Sequence, residues 1–345
     1  MKISVIGHFA YGKTFLDGQT VKTKIFTEEL KNKLGEEQVL TFDTHGGWKS
    51  LIKAPLQVLS ALRKSENILI FPAHNGLRVY APLLSFFRFF FKKRKLHYVV
   101  IGGWLPDFLK KRKALSNTLK KFDAIYVETS TMCRALSAQG FANVSVIPNC
   151  KRLNVLSSDN LVYTLNAPYK LCTFSRVMKK KGMGDAIAAI SRVNESIGQH
   201  FFSLDIYGPV DESEIDWFNS LSSSFPEYVK YCGPVPFDKS VEVLKDYFAL
   251  LFPTRFYTEG VPGTIIDAYT AGIPVISARW ESFADVVDDG VTGVSYEFEN
   301  VDDLTARLFE IANDPSIINS KKPACIKKAA EFTPESALTE LIKRL

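Results

Sequence analysis

Short apolar runs rich in β-branched or aromatic residues recur along the chain, and longer amphipathic stretches such as 20–34, 184–197 and 263–271 separate them. The runs are KISVIG, QVLTFD, NILIFP, HYVVIGG, AIYVE and VSVIPN, then LCTFS, FFSLDIYG, YVKYCG, ALLFPT and PVIS. Strands that alternate with helices predict parallel α/β sheets. A loop-like stretch, 149–168, divides two such series. The sequence therefore predicts an α/β protein with two Rossmann-like, doubly wound domains that face each other across a cleft.

Composition and charge narrow the classes of protein. Apolar residues make up 46% of the 345 residues and no run of 18 apolar residues occurs, which favours a globular protein without a spanning helix. The five cysteines form no C-x-x-C pair, so we expect neither a zinc site nor a disulfide framework, and we expect a cytoplasmic protein. Residues 1–152 carry 25 Lys and Arg against 10 Asp and Glu, whereas the remainder carries 18 against 27. A front half with a net charge of +15 indicates an anionic partner, namely a membrane surface, a phosphorylated acceptor or a nucleic acid.

The segment GHFAYGKT, 7–14, matches the phosphate-binding pattern G-x-x-x-x-G-K-[ST]. A phosphate loop of that kind runs directly into a helix, but Asp17-Gly18 is a turn signal, and we expect the helix to begin near Thr20. We interpret the segment as an ordinary strand-to-helix loop, with Gly12, Gly18 and Gln19 at the cleft. The alternative, an ATPase, would need Mg²⁺ and Lys13.

Two stretches of the back half suit a nucleotide ligand. In FSRVMKKKG, Arg176 and Lys181 follow a strand and precede a glycine, an arrangement suited to a diphosphate. In FPTRFYTEGVPGTIIDAYTAG, Glu259 precedes a helix that contains Asp267, about 12 Å further along at 1.5 Å per residue. Carboxylates so placed can accept hydrogen bonds from sugar hydroxyls, while the amides at the helix start favour an anion. Alternatively, Glu259 is a helix cap and Asp267 a surface charge.

These residues resemble the retaining glycosyltransferases of family 4, which have the GT-B fold. The family's R-x-x-x-x-K-G stretch reads Arg176 to Gly182 here, and its E-x7-E motif reads Glu259 and Asp267. YVETSTMCRALSAQGFANVSVIPN and VVDDGVTGVSYEFENVDDL resemble the family's segments before the interdomain linker and near its end.

The resemblance implies roles for particular residues. Arg176 and Lys181 would bind the donor diphosphate, Glu259 the donor sugar and Asp267, one methylene shorter than the family's Glu, the ribose. The backbone amides of Gly260, Val261, Pro262, Gly263 and Thr264, as a segment, would bind the sugar or the β-phosphate, proline contributing no N–H. The family usually also has a histidine after a front-domain strand. HYVVIGGW offers glycines there, and of the nearest substitutes, His45 and His74, we favour His74 as the catalytic one.

The resemblance also implies a domain division. We expect an acceptor-side domain at 1–152, a nucleotide-sugar domain at 153–334, and a final helix at 335–345 that packs back on the first domain. No D-x-D pair follows a strand, so we expect no metal and no cofactor beyond a nucleotide-sugar co-substrate, with cations and the helix dipole stabilising the leaving group.

The Phe-rich segment 81–98 ends in four consecutive cations. As one helix it would present an apolar face about 160° wide at 100° per residue, which suits a helix in a membrane interface. A buried helix with a solvated basic end is the alternative. A nucleic-acid partner would explain the charge but not the phenylalanines, and no binding signature accompanies it, so we expect none.

The leading hypothesis is a retaining glycosyltransferase of the hexosyltransferase type, peripheral on the inner face of the membrane. It would move a sugar from a nucleotide-sugar, with a UDP-sugar as the expected donor, to a lipid-linked or polysaccharide acceptor. A nucleotide-sugar epimerase of similar fold and a non-catalytic membrane-binding module are the alternatives.

Overall fold

A computed structural model describes residues 2–12, 18–46 and 48–345. The chain forms two compact units. Unit 1 consists of the chain as far as Arg152 together with Phe332–Leu345, and unit 2 consists of Leu153–Glu331. Lys13 to Asp17, which include the Lys and Thr of the phosphate-loop match and the predicted turn residue Asp17, lie outside the described residues.

Unit 1 is built on a sheet of six parallel strands in the order β2-β1-β3-β4-β5-β6. The strands are β1 (Ile3–Gly7), β2 (Val39–Asp43), β3 (Asn67–Ile70), β4 (Lys95–Val99), β5 (Ala124–Val127) and β6 (Val144–Val146). The helices are α1 (Gly18–Leu34), α2 (Trp48–Ile52), α3 (Ala54–Lys64), α4 (His74–Arg88), α5 (Leu105–Lys110), α6 (Lys113–Leu119) and α7 (Ser130–Ala138). Strands β1, β3 and β5 are wholly buried, as strands covered by helices on both faces must be.

Unit 2 repeats this plan with the strand order β12-β11-β10-β7-β8-β9, again all parallel. The strands are β7 (Tyr169–Phe174), β8 (Phe202–Tyr207), β9 (Val229–Gly233), β10 (Ala249–Phe252), β11 (Val275–Ala278) and β12 (Gly293–Tyr296). The helices are α8 (Met183–Ile197), α9 (Ile215–Ser222), α10 (Ser240–Leu244), α11 (Gly263–Thr270), α12 (Val301–Asn313), α13 (Ser316–Asn319) and α14 (Lys322–Ala329).

The predicted fold class is confirmed: each unit is a parallel α/β sheet flanked by helices. The apolar runs named above form β1 to β11. Strand β12 was not predicted, because its sequence GVSY is short and follows the turn-forming segment DDGVTG.

The last helix, α15 (Pro334–Arg344), belongs to unit 1 and packs against α1. Ala337, Leu338 and Leu341 are buried in the same cluster as Ile3 and Phe26. Lys95 Nζ donates to the carbonyl oxygens of the last two residues at 3.2 and 3.1 Å. The end of the chain therefore completes one hydrophobic face of the sheet on which the chain begins.

Helix α1 spans Gly18–Leu34, within two residues of the predicted start near Thr20. One local expectation was wrong: the Phe-rich segment is not one helix, because α4 ends at Arg88 and Phe89, Phe90 and Phe91 lie beyond it. Strand β4 begins at Lys95, two residues before the predicted run HYVVIGG, and pairs with β3 and β5. None of the helices in the described ranges is long and apolar enough to cross a bilayer.

A buried ion pair connects three elements of unit 1 at the carboxyl ends of its strands. Lys22 Nζ of α1 lies 2.7 Å from Glu128 Oε1, directly after β5, and their side chains are 1% and 3% exposed. Lys22 also donates to the carbonyl oxygen of Val100 at 3.1 Å, and the Gly102 amide donates to Glu128 at 3.1 Å. Because these partners satisfy charges that water does not reach, removing one of them leaves the other uncompensated.

We predict that Lys22→Met lowers the free energy of unfolding of unit 1 by about 3–5 kcal/mol, since it leaves Glu128 buried without its cation. Scanning calorimetry measures the loss. The double variant Lys22→Met/Glu128→Leu should recover much of it, whereas Lys31→Met, which breaks the exposed pair with Glu36, should cost less than about 1 kcal/mol. Equal losses for Lys22→Met and Lys31→Met would contradict the assignment.

Candidate functional site

The strand order of unit 2 reverses direction between β7 and β10, which are neighbours in the sheet although they are far apart in the chain. Ligands of doubly wound sheets bind outside the carboxyl ends of the strands at such a reversal. The two segments that leave this point, 175–182 after β7 and 253–263 after β10, contain most of the predicted donor-binding residues.

A glycine lets these two segments touch backbone to backbone. Gly182 has φ +73°, and a Cβ atom built there would lie 1.8 Å from the carbonyl oxygen of Pro253. Both the left-handed conformation and the missing side chain are therefore required. The contact holds the short 3₁₀ turn 179–181 against the end of β10.

Lys181 and Glu259, which the sequence placed on different parts of the donor, form an ion pair with each other. Each side chain is 17% exposed, so the pair is shielded but open on one side. Thr254 donates to Glu259 Oε1 at 3.1 Å. The Lys181 ammonium lies 5.6 and 5.1 Å from the ring centroids of Phe252 and Phe256. The two charges hold each other in place beside a partly open surface, and aromatic faces support the cation.

Arg176 is more exposed than Lys181. Its guanidinium lies 3.3 Å from Asp211 Oδ2, and its side chain is 48% exposed. Hydrogen bonds from the hydroxyl and the amide of Ser213 lower the pKa of Asp211, which keeps this carboxylate ionised. Arg176 therefore lies at the periphery of the carboxyl-terminal edge of the unit 2 sheet, with part of its guanidinium in solvent.

Sequence reasoning missed a second clamp on the β10 segment. Arg255 donates to both carboxylate oxygens of Asp185 in α8, at 2.7 Å each, and its amide donates to the carbonyl of Lys180 at 2.8 Å. Such bidentate pairs fix orientation. No local signal links residues 70 positions apart, so only the fold shows that Arg255 and Gly182 together fasten the two segments.

The start of α11 supplies the predicted anion-binding amides. Pro262 is the N-cap of this helix, and both Val261 and Pro262 are buried. Gly260 immediately follows Glu259. Thr264 in the first turn is 9% exposed, and its hydroxyl has no hydrogen-bond partner among the described residues. This hydroxyl can therefore donate a hydrogen bond to a group bound at the start of α11.

Asp267 lies deeper than expected. It is 2% exposed and accepts a hydrogen bond from the Ser240 hydroxyl at 3.0 Å, so the alternative that it is a surface charge is wrong. The alternative that Glu259 caps α11 is also wrong, because Pro262 occupies the N-cap and Glu259 pairs with Lys181.

His74 is the first residue of α4 rather than a loop residue. Its imidazole stacks on Trp104 with 3.9 Å between ring centroids and meets Phe108 edge-on at 5.0 Å. Partial burial lowers the pKa of His74, and the positive charges of Arg112 and Arg78 lower it further. The ring is therefore neutral over most of the physiological pH range.

Two further histidines, His8 and His45, follow β1 and β2. The sequence analysis named His45 as a candidate but not His8. His45 Nδ1 lies 3.1 Å from His8 Nε2, and His8 Nδ1 lies 2.7 Å from the Thr20 hydroxyl. Burial raises the pKa of the neighbouring Asp43, but four backbone N–H groups outweigh it and lower the pKa below its usual value. His8 directly follows the first apolar run, which is the signal that could have found it.

The predicted front-domain glycines lie at this same edge of unit 1. Gly12 has φ +78° with open space around its Cα, Gly18 begins α1, and the Gln19 amide donates to the carbonyl of Phe71 at 3.4 Å. In the described ranges, no group of three or more His, Cys, Asp or Glu side chains is arranged to hold a metal ion.

Comparison with known proteins agrees with this geometry. Residues 168–314, which span β7 to α12, match the family described as Glycosyl transferases group 1. A curated relative, the amylovoran biosynthesis glycosyltransferase AmsK of Erwinia amylovora, is 23% identical over 189 residues. That alignment covers 52% of this chain and 46% of AmsK, so the match spans about half of the relative's length.

Solved structures share the whole fold. Anabaena HepE in complex with UDP and glucose superposes with a TM-score of 0.75 at 15% identity, covering 99% of this chain and 98% of HepE. Sucrose-phosphate synthase from Thermosynechococcus elongatus gives 0.78 at 14% identity, covering 99% and 97%. The fold is thus that of GT-B glycosyltransferases, and together with the sequence matches it supports a glycosyltransferase of the GT-B type.

We predict that Gly182→Ala lowers the free energy of unfolding of unit 2 by at least about 2 kcal/mol more than Gly198→Ala does. The two glycines have the same conformation, φ +73° and +74°, but a Cβ atom meets the Pro253 oxygen at position 182 and nothing within 4 Å at position 198. The comparison therefore isolates the contact from the strain of positive φ, which costs about 1–2 kcal/mol in both variants. Urea denaturation of each variant measures the difference, and equal losses would show that Pro253 moves aside.

Proposed function

We propose that the protein is a retaining glycosyltransferase of family 4 that transfers a hexose from a nucleotide-sugar of the UDP-sugar class. The observation that carries this proposal is the Lys181–Glu259 pair, placed where the unit 2 sheet reverses and beside a helix start whose Thr264 hydroxyl has no partner in the described structure. HepE was solved in complex with UDP and glucose and in complex with UDP-glucose, and this similarity supports the same donor class.

The donor diphosphate is assigned to Lys181, Arg176 and the start of α11. The Lys181 ammonium has three N–H donors and uses one to bind Glu259. It can therefore also bind a phosphate oxygen without releasing Glu259. Arg176 at the rim can turn its free donors to the same diphosphate. The amides at the helix start, within Gly260 to Thr264, add a partial positive charge that favours an anion.

The donor sugar and the ribose are assigned to the two acids. Glu259 is held by Thr254 and Lys181 at a partly open surface, where its carboxylate can accept hydrogen bonds from sugar hydroxyls. Asp267, which is buried and accepts a hydrogen bond from Ser240, is assigned to the ribose.

Charge that develops on the leaving nucleoside diphosphate is then stabilised by Lys181, Arg176 and the α11 dipole, so that no metal is required. In a retaining reaction the acceptor hydroxyl attacks the donor sugar on the same face from which the leaving group departs. We assign to His74 a catalytic role on the acceptor side. The backbone at Gly12, Gly18 and Gln19 is assigned to the surface that the acceptor approaches.

The acceptor is proposed to be a lipid-linked or polysaccharide chain at the inner face of a membrane. The name of AmsK connects that relative with the biosynthesis of amylovoran, and the basic front half of this chain supports an anionic surface as partner. The net charge of +15 over residues 1–152 is sufficient to steer the protein toward such a surface.

We predict that Lys181→Met lowers kcat/KM for UDP release at least about 100-fold, because the leaving diphosphate loses its shielded cation. Glu259→Gln should lower it by a similar factor. Matched controls are Lys179→Met, which removes an exposed cation from the same turn, and Lys13→Ala in the phosphate-loop match, both of which should stay within about twofold of the parent. Nucleoside diphosphate release is measured with a panel of donors and a glycan acceptor. Turnover of the donor to an isomer without acceptor would indicate an epimerase, and ATP hydrolysis lost in Lys13→Ala would indicate an ATPase.

We predict that Arg176→Ala weakens UDP binding by about 1–3 kcal/mol, the usual value of a charge-assisted hydrogen bond. Titration calorimetry with UDP measures the change. Arg192→Ala, which removes an arginine of similar exposure paired with Asp302, is the control and should leave the affinity unchanged. An unaltered affinity in Arg176→Ala would remove Arg176 from the donor site.

A further inference from the structure

Three phenylalanines at the end of α4 lie in water. Phe86, Phe89 and Phe90, here called the Phe patch, are 63%, 70% and 66% exposed. The rings of Phe86 and Phe90 are 6.1 Å apart between centroids, and those of Phe89 and Phe90 are 5.4 Å apart, so the three form one apolar surface. Clustered exposed rings of this size mark an interaction surface more often than scattered ones do.

The core of unit 1 does not need these rings. Leu84 is buried, and Phe87 and Phe91 already pack against the cluster beneath α4. Phe86 lies in the last turn of α4, whereas Phe89 and Phe90 lie in the turn that follows Arg88. The alternative that the segment is simply a buried helix with a basic end accounts for Leu84, Phe87 and Phe91 but not for the patch.

Cations border the Phe patch. Lys92 Nζ lies 5.7 Å from the centroid of Phe89, and Lys93 beside it is exposed. One shallow groove brings Phe89, Lys92 and Lys121 together, although Lys121 comes from the turn before β5. The acid in that turn, Asp123, is already paired with Arg88 at 2.9 Å. Lys92, Lys93 and Lys121 are all exposed, so the surface next to the rings is positively charged.

We propose that the Phe patch and its cations Lys92, Lys93 and Lys121 are a docking surface for an anionic lipid bilayer. The rings enter the boundary between headgroups and acyl chains while the ammonium groups bind the phosphates. Charge complementarity selects this occupant over an apolar protein partner, which would not require the cations. The rings of the Phe patch pack edge-on against one another instead of forming a row of parallel faces on which successive bases could stack. The biological meaning of the docking, delivery of the enzyme to lipid-linked acceptors, rests on the proposed function, but the docking itself does not.

Vesicle flotation of the full chain, without donor or acceptor, tests the proposal. Binding is expected to vesicles of phosphatidylcholine mixed with phosphatidylglycerol, to be at least tenfold weaker with phosphatidylcholine alone, and to fall with rising salt. The variant Phe86→Ser/Phe89→Ser/Phe90→Ser and the variant Lys92→Glu/Lys93→Glu/Lys121→Glu should each bind at least tenfold more weakly. Leu165→Ser, which removes a residue of unit 2 that is 76% exposed, is the control and should bind like the parent.

Several outcomes would overturn the docking surface. Binding of the Phe or Lys variants at parental strength would do so, as would equal binding to neutral and anionic vesicles. A dimer of the parent that the Phe variant disperses would assign the patch to a second copy instead. Thermal unfolding and donor-dependent UDP release of the variants with a soluble acceptor are measured in parallel. Unchanged values show that lost flotation reflects docking rather than misfolding, and absence of UDP release with intact flotation would refute the proposed function alone.

Discussion

Parallel strand pairing is the constraint on which both units depend. In a parallel sheet every strand ends at the same edge, so residues that follow different strands meet regardless of their distance in the chain. Lys181 after β7 and Glu259 after β10 become partners across 78 positions. His8 after β1 and His45 after β2 become neighbours in the same way. The fold itself therefore brings polar side chains together at one edge of each sheet, whichever sequence motifs carry them.

A comparison of two shielded ion pairs in the described residues shows how burial separates structure from chemistry. Lys22 and Glu128 are almost completely enclosed, and backbone groups of Val100 and Gly102 also hydrogen-bond to them. Lys181 and Glu259 keep part of their surface in solvent and lie beside a helix start. The first pair is closed to a ligand and fixes the arrangement of α1, β4 and β5. The second has capacity left for a ligand.

Periodicity predicted the sheets, and the strand-end motifs predicted that Lys181, Gly182 and Glu259 follow strands of the second domain. They did not predict that Lys181 and Glu259 form an ion pair, that the Pro253 carbonyl requires Gly182, or that Arg255 pairs with Asp185. Each of these contacts depends on which strands are neighbours, and local sequence does not encode strand order. The Phe-rich segment differs for another reason: its apolar periodicity continues past Arg88, but the helix itself ends there.

Helix α4 joins two different surfaces of unit 1. His74, stacked on Trp104, begins it, and the Phe patch surrounds its end, so that its 15 residues place the two up to about 22 Å apart at 1.5 Å per residue. With the Phe patch on a bilayer, the strand ends of unit 1 stand off from the lipid by as much as this length. An acceptor anchored in the same membrane would then have to bridge this distance to reach the strand ends.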